Sequence, residues 1–257
     1  MESCITFKNL SIGYHSKHQL QVIASAVSAS LHPGELTCLI GANGVGKSTL
    51  LRTLCGFQPA LDGEILLQDQ PLSAYPAQQL ARQIGVVLTS RIDVPQLSVR
   101  EIVGIGRSPY TNFWGTLTPA DQQIVDEAIH QVGIPHLAQR NISELSDGER
   151  QKTMIAKALA QQTRIIILDE PTAFLDFPGK IDLMLLLQRL AHEERKTILL
   201  STHDLETALQ TADRLWLLAD GALHDGTPHE LADQGFIDDY IGRKNVKFDR
   251  ETLSIQI

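Results

Sequence analysis

Gly41-Ala42-Asn43-Gly44-Val45-Gly46-Lys47-Ser48-Thr49 matches the pattern G-x-x-x-x-G-K-[ST], the loop type that wraps nucleotide phosphates. Its flanks suit that reading. Leu36, Cys38, Leu39 and Ile40 form a short apolar run for a buried strand, and Leu50, Leu51 and Leu54 follow at helical spacing. Strand, glycine-rich turn and helix N-terminus together aim backbone N–H groups and the positive end of a helix dipole at one point. Gly41, Gly44 and Gly46 let the backbone curl around an anion without Cβ clashes, and Asn43 lies on the same curl. Lys47 would reach the β- and γ-phosphates, Ser48 would hold Mg²⁺, and Thr49 would donate to the α-phosphate. The chain reads as a nucleotide-binding protein.

Outward from the loop, Ile5, Phe7 and Leu10 open a strand that ends at Gly13-Tyr14-His15. Val22 to Leu31 is a second strand, closed by the turn His32-Pro33-Gly34-Glu35. Tyr14 is placed to stack on a purine; a core or rim tyrosine is the equal alternative. Asp62-Gly63 turns into the strand Glu64 to Leu67, Ser73 to Arg82 reads as helix, and Ile84 to Leu88 as strand. From Ser98 to about Gln161 the pattern is mainly helical, with Thr118 as N-cap and Pro119 in the first turn.

Strand character returns at Ile165 to Leu168 and ends in Asp169-Glu170. Acidic residues at the C-terminal edge of a parallel strand suit Mg²⁺ binding by Asp169 and polarisation of an attacking water by Glu170. His203 follows the strand Thr197 to Ser201 and suits donation to a γ-phosphate, although a lone histidine is more often structural.

A net charge of −8 argues against a general nucleic-acid binder. No apolar run reaches the ~18 residues that span a bilayer, and no signal-peptide pattern opens the chain. Cys4, Cys38 and Cys55 have no metal-like spacing and fit a reducing compartment. A cytoplasmic protein is expected.

These residues add up to a resemblance that covers nearly the whole chain: it is similar to the ATP-binding subunit of an ABC transporter. Leu145-Ser146-Asp147-Gly148-Glu149 stands where that family carries Leu-Ser-Gly-Gly-Gln. Ser146 would cap the following helix, whose N-terminus can receive an anion. The resemblance implies that Ser146, Gly148 and Glu149 face the ATP held by a second, identical subunit. Tyr14, Ala173-Phe174-Leu175-Asp176 and the switch histidine His203 match further motifs. The implied fold is α/β: a P-loop NTPase with a RecA-like core and an antiparallel β part (1–94 and 162–257) and an inserted helical subdomain (95–161), together one ATP-binding domain.

Gly106-Arg107-Ser108-Pro109-Tyr110, followed by Trp114-Gly115, is similar to importer ATPases for iron-chelate (siderophore), haem and cobalamin uptake. That resemblance implies a polytopic membrane permease as partner, a substrate-binding protein acting through it, and a place on the inner face of the cell membrane. A soluble ABC ATPase for iron–sulfur assembly or translation is the competing class; a P-loop kinase is disfavoured by the signature and His203.

Two positions depart from the family. Asp147 and Glu149 bring carboxylates near a polyphosphate, so they must be turned away, neutralised or directed at ribose hydroxyls. Thr89 stands where the family places a glutamine that senses Mg²⁺ and attacking water, and its single hydroxyl cannot reproduce an amide. A bridging water between Thr89 and Mg²⁺ is expected to stand in. Thr89→Ala should therefore lower ATP hydrolysis by less than roughly tenfold, about 1.4 kcal/mol in barrier height, and impair transport more. Both rates are to be measured with the membrane partner present; a larger loss of hydrolysis would put Thr89 in the chemical machinery.

Overall fold

The computed structural model describes residues 3–15, 20–88, 96–242 and 247–256. In chain order the strands are β1 (Ile5–His15), β2 (Leu20–Leu31), β3 (Leu36–Ile40), β4 (Asp62–Leu67), β5 (Gln70–Pro71), β6 (Ile84–Val87), β7 (Ile165–Leu168), β8 (Thr197–Thr202), β9 (Arg214–Ala219), β10 (Ala222–Gly226), β11 (Lys247–Asp249) and β12 (Ser254–Gln256). The helices are α1 (Lys47–Leu54), α2 (Ala77–Leu80), α3 (Val99–Ile105), α4 (Pro119–Gln131), α5 (Asp147–Ala160), α6 (Phe177–His192), α7 (Leu205–Thr211), α8 (Pro228–Asp233) and α9 (Phe236–Ile241). Contacts divide the chain into two compact units, Met1–Ala74 with Leu187–Ile257, and Tyr75–Leu186.

In the first unit, β2, β1, β4 and β5 form an antiparallel sheet in that order. A second layer orders β10, β9, β3 and β8, with β3 parallel to both β9 and β8. All five residues of β3, Thr37 included, are fully buried, so four of its five positions are apolar with no in-and-out alternation. Each such Leu or Ile side chain removed from water contributes about 1.5–3 kcal/mol. Phe7 of β1 meets the ring of Trp216 of β9 edge-on, centroids 5.3 Å apart, an aromatic geometry favoured by the ring quadrupoles. The two layers of this unit share that contact.

The second unit holds the parallel pair β6–β7 and the helices α3, α4 and α5, which pack on one another. Thr118 caps α4 as the sequence indicates, in a reciprocal box with Asp121. The buried side of α4 is Val125, Ala128 and Ile129, while Ile124 sits half-buried beside it. The expected helix over Ser73 to Arg82 is instead a 3₁₀ turn at Leu72–Ala74 and the four-residue α2. Pro76 stands between them, and the conformation that a proline imposes on its predecessor stops a continuous helix there.

The tail folds back. β11 and β12 pair antiparallel, with Phe248 opposite Ile255, and Asp249 closes the turn by accepting from the Glu251 and Thr252 amides. The Gln210 side chain of α7 donates to the Thr252 and Leu253 carbonyls at 2.9 and 3.1 Å, and Leu253 is buried. Trypsin should therefore cut slowly after Lys247 in the folded protein. Leu253→Asp should accelerate that cut by about tenfold or more, the scale of losing one buried leucine, as followed by mass spectrometry of the digest.

Candidate functional site

In the first unit the phosphate loop leaves the buried strand β3 and enters α1 through Gly46, whose φ is +115°. A Cβ at Gly46 would lie 2.3 Å from Ile23 Cγ2, and one at Gly41 would lie 2.7 Å from the Leu218 carbonyl oxygen. Gly44 has φ +82°. These positions need glycine for close approach or for a left-handed backbone. Lys47 is 4% exposed, and its amine donates to the Gly41 carbonyl at 2.9 Å and the Ala42 carbonyl at 3.3 Å. The cation is thereby folded over the loop's own curl.

Helix α1 carries no side-chain cap bond and no acidic residue in its first turn. Helices α3, α4, α5 and α8 are each closed by a Ser or Thr paired with an acid three residues on. Where a carboxylate would ordinarily sit, α1 presents backbone N–H groups and a lysine. That end of the helix is built for an anion.

Tyr14 lies at the edge of this loop. Its hydroxyl meets the Thr49 hydroxyl at 2.7 Å while 43% of the residue stays exposed. Thr49 itself is 4% exposed, so its side chain engages the tyrosine in place of open solvent. The bond fixes the ring beside the first turn of α1 and leaves a face open. His203 enters from a neighbouring strand: Ile40 of β3 and Thr202 of β8 are in register, so Gly41 and His203 leave the sheet side by side. Asp204 caps α7 by accepting from Thr207 N, and its own amide donates to Thr202 Oγ1. Those two bonds hold the turn that carries His203.

In the second unit, Val87 of β6 and Leu168 of β7 end in register, and the Asp169 amide donates to the Val87 carbonyl at 2.9 Å. Asp169 is 7% exposed, and Glu170 follows with φ +45°, outside the strand conformation. The turn closes with Ala173 N donating to the Glu170 carbonyl. Strand β7 thus ends at Leu168, directly before Asp169, as the sequence reads. Thr89 lies outside the described residues.

Ser146 is the N-cap of α5. Its hydroxyl accepts from Glu149 N at 3.3 Å, while the Glu149 carboxylate accepts from Ser146 N at 2.8 Å and from Ser146 Oγ at 2.9 Å. The Ser146 amide, followed by the Ser146 hydroxyl, holds the Glu149 carboxyl below its ordinary pKa, so it stays ionised at neutral pH. Asp147 faces Arg150 at 3.3 Å, and Arg150 also donates to the Ile142 and Leu145 carbonyls. Both carboxylates of the signature are thus turned onto its own backbone and arginine. The Arg150 fork was not singled out from sequence, although the i, i+3 spacing of Asp147 and Arg150 was a readable signal.

A family model for ABC transporters matches residues 24–173. The chain belongs to the ABC transporter ATP-binding family. It is 34% identical to the ferric enterobactin transport ATP-binding protein FepC of Escherichia coli, over 91% of this chain and 86% of that protein. It is likewise 34% identical to the petrobactin import ATP-binding protein FpuD of Bacillus anthracis, over 93% of this chain and 86% of that one. The dimeric structure of the bacterial ABC transporter cassette MJ0796 superposes with a TM-score of 0.75 at 25% identity, covering 87% of this chain and 98% of that cassette. The P-loop NTPase fold and ATPase activity follow from this membership. No helix among the described residues is long and apolar enough to cross a membrane.

The Tyr14 geometry separates stacking from hydroxyl bonding. Tyr14→Phe should leave the ATP dissociation constant within about twofold, and Tyr14→Ala should weaken it by about 2–10-fold, the range of one aromatic stack. Calorimetric titration of both variants decides: equal losses would assign the effect to the Thr49 bond.

Proposed function

We propose that this chain is the ATP-hydrolysing subunit of an importer for an iron chelate, a siderophore in particular, and that two copies close around two ATP molecules on the inner face of the cell membrane. The observation that carries ATP binding is the uncapped, acid-free N-terminus of α1 beneath the bare glycine curl and Lys47. The chelate class is supported by the siderophore relatives and by the Gly106 to Trp114 sequence. A relative named as a cobalamin import ATP-binding protein, from Halobacterium salinarum, is 36% identical over 81% of this chain and 52% of that protein, so cobalamin is the second solute class. A separate permease, fed by a substrate-binding protein, completes the assembly, and no nucleic acid takes part.

In this reading Lys47 and the amides of Gly44, Gly46 and Ser48 hold the β- and γ-phosphates, Thr49 donates to the α-phosphate, and Tyr14 stacks on the base. Glu170 takes a proton from the attacking water, and His203 donates to the γ-phosphate as charge develops on it. The groups this reading assigns to a cation, the Ser48 hydroxyl and the Asp169 carboxylate, are hard oxygens suited to Mg²⁺. Among the described residues no three His, Cys, Asp or Glu side chains cluster to hold a metal. Mg²⁺ would neutralise charge on the transferring phosphoryl group.

Gly148 adds a second argument. A Cβ there would find its nearest neighbour, Leu175 Cδ2, at 3.9 Å. The fold does not demand glycine at 148, whereas close approach of a ligand from outside would. Ser146, Gly148 and Glu149 are accordingly assigned to the ATP of the second copy, with the Ser146 hydroxyl passing from Glu149 to phosphate on closure.

Glu170→Gln tests the chemistry. ATP binding should persist while hydrolysis falls by about 10²–10⁴-fold, the scale of removing a general base. A dimer should accumulate with ATP and Mg²⁺ and be visible by size-exclusion chromatography with light scattering. Wild-type turnover in this variant would remove Glu170 from the mechanism.

A further inference from the structure

Arg107 sits at the meeting point of three helix ends in the second unit, 5% exposed. Its Nε donates to Asp121 Oδ1 in the first turn of α4 at 2.8 Å. Its Nη1 donates to the Ala160 carbonyl at the last turn of α5 at 2.8 Å and to Gln162 Oε1 at 2.9 Å. The residue before it ends α3 in close contact: a Cβ on Gly106 would lie 2.2 Å from the Lys157 carbonyl oxygen. One guanidinium therefore ties the end of α3, the start of α4 and the end of α5. A lysine has one point charge for these tasks and no planar fork.

The same guanidinium anchors a loop. Tyr110 lies with its ring 4.2 Å from Arg107 Cζ and 4.9 Å from Arg82 Cζ. Arg82 Nη2 and Nε and the Gln78 amide all donate to the Pro109 carbonyl. At the far end, Asp121 Oδ2 accepts from the Thr118 amide and hydroxyl at 2.9 and 2.6 Å. Both feet of the loop thus converge on the Arg107–Asp121 pair. Between them the sequence carries no charge at all, and Phe113 and Trp114 stand 94% and 83% exposed, edge to face with centroids 5.5 Å apart.

We infer that Arg107 is a positioning residue that carries movement of the Phe113–Trp114 loop along α5 to the signature at Ser146. The inference rests on the proposed function, in which the loop meets the permease. The path is short and stiff. Arg107 grips the C-terminal carbonyl of α5, and Ser146 caps its N-terminus 14 residues away, roughly 21 Å along a helix rising 1.5 Å per residue. A push on the aromatic loop moves its feet, the feet move Arg107, and Arg107 moves the rod whose other end meets ATP.

Two measurements test this. Hydrogen exchange on the isolated chain should show that Arg107→Lys speeds amide exchange at least about fivefold both in 109–117 and in 147–150. Faster exchange confined to 106–121 would overturn transmission along α5. With the permease that co-purifies with the tagged chain, Arg107→Lys should keep the ATPase rate of the isolated chain within about twofold and lower permease-stimulated hydrolysis at least about fivefold. Trp114→Ala, a surface change, should do the same, and the double variant should be no worse than either single one. Losses that multiply in the double variant, or isolated and stimulated rates that fall in one proportion, would overturn the inference. Absence of any permease with the wild-type chain would sink the transport reading instead, and leave the exchange result standing on its own.

Discussion

Bare backbone at Gly41 and Gly46 is the constraint on which the ATP site depends. Gly41 lies against the Leu218 carbonyl of β9, and Gly46 lies against the Ile23 side chain of β2. The loop is therefore wedged between the parallel layer on one side and the antiparallel strands on the other. A methyl group at either position would push the loop off one of its walls, and Gly46 at φ +115° would be strained besides. The aim of the α1 amides follows from that wedge, because a helix starting one residue off register would point its first turn elsewhere. The fully buried β3 makes the wedge stiff: its five residues cannot shift without exposing apolar surface.

Local chemistry was legible in the sequence, and long-range pairing was not. The strand–loop–helix at 36–54 and the caps at Thr118 and Ser146 could be read because each feature lies within a few residues. The tail hairpin is local in the same sense, with Phe248 opposite Ile255 across a short polar turn. The Tyr14–Thr49 bond spans 35 residues. Arg107 finds its partners 14, 53 and 55 residues away. Nothing in local spacing encodes such distances, so the Gly106 to Tyr110 run could be matched to relatives without its physical basis being visible. The helix expected over Ser73 to Arg82 failed for a different reason. Pro76 confines the helix to the four residues that follow it.

The acids of the signature show how an anionic chain accommodates an anionic ligand. With a net charge of −8, the chain gains nothing from carboxylates at the end of α5 unless their charge is used internally. Glu149 spends its two bonds on Ser146, so the carboxylate caps the helix and complements its dipole. Asp147 lies against Arg150, which also holds the preceding loop by two carbonyls. The question raised by the sequence thus has a specific answer: one acid is turned inward and the other is neutralised.

That answer carries a pH dependence whose sign is fixed. Because the folded state lowers the Glu149 pKa from 4.5, its cap contributes fully above that ordinary value and is lost as pH falls through the lowered one. Asp121 behaves alike, held at about 2 first by the Thr118 hydroxyl, then by the Thr118 amide and by Arg107. Its window therefore opens below its ordinary value of 3.8 and reaches to about pH 2. At neutral pH both carboxylates are charged and paired, so neither titrates during a transport cycle. In the proposed closure, release of Ser146 from Glu149 is driven by the arriving phosphate, which offers the same hydroxyl a more highly charged acceptor. On that proposal the cap is the resting state of a competition between two anions for one hydroxyl, and the bonds at Gly41 and Ala42 set a like competition for Lys47.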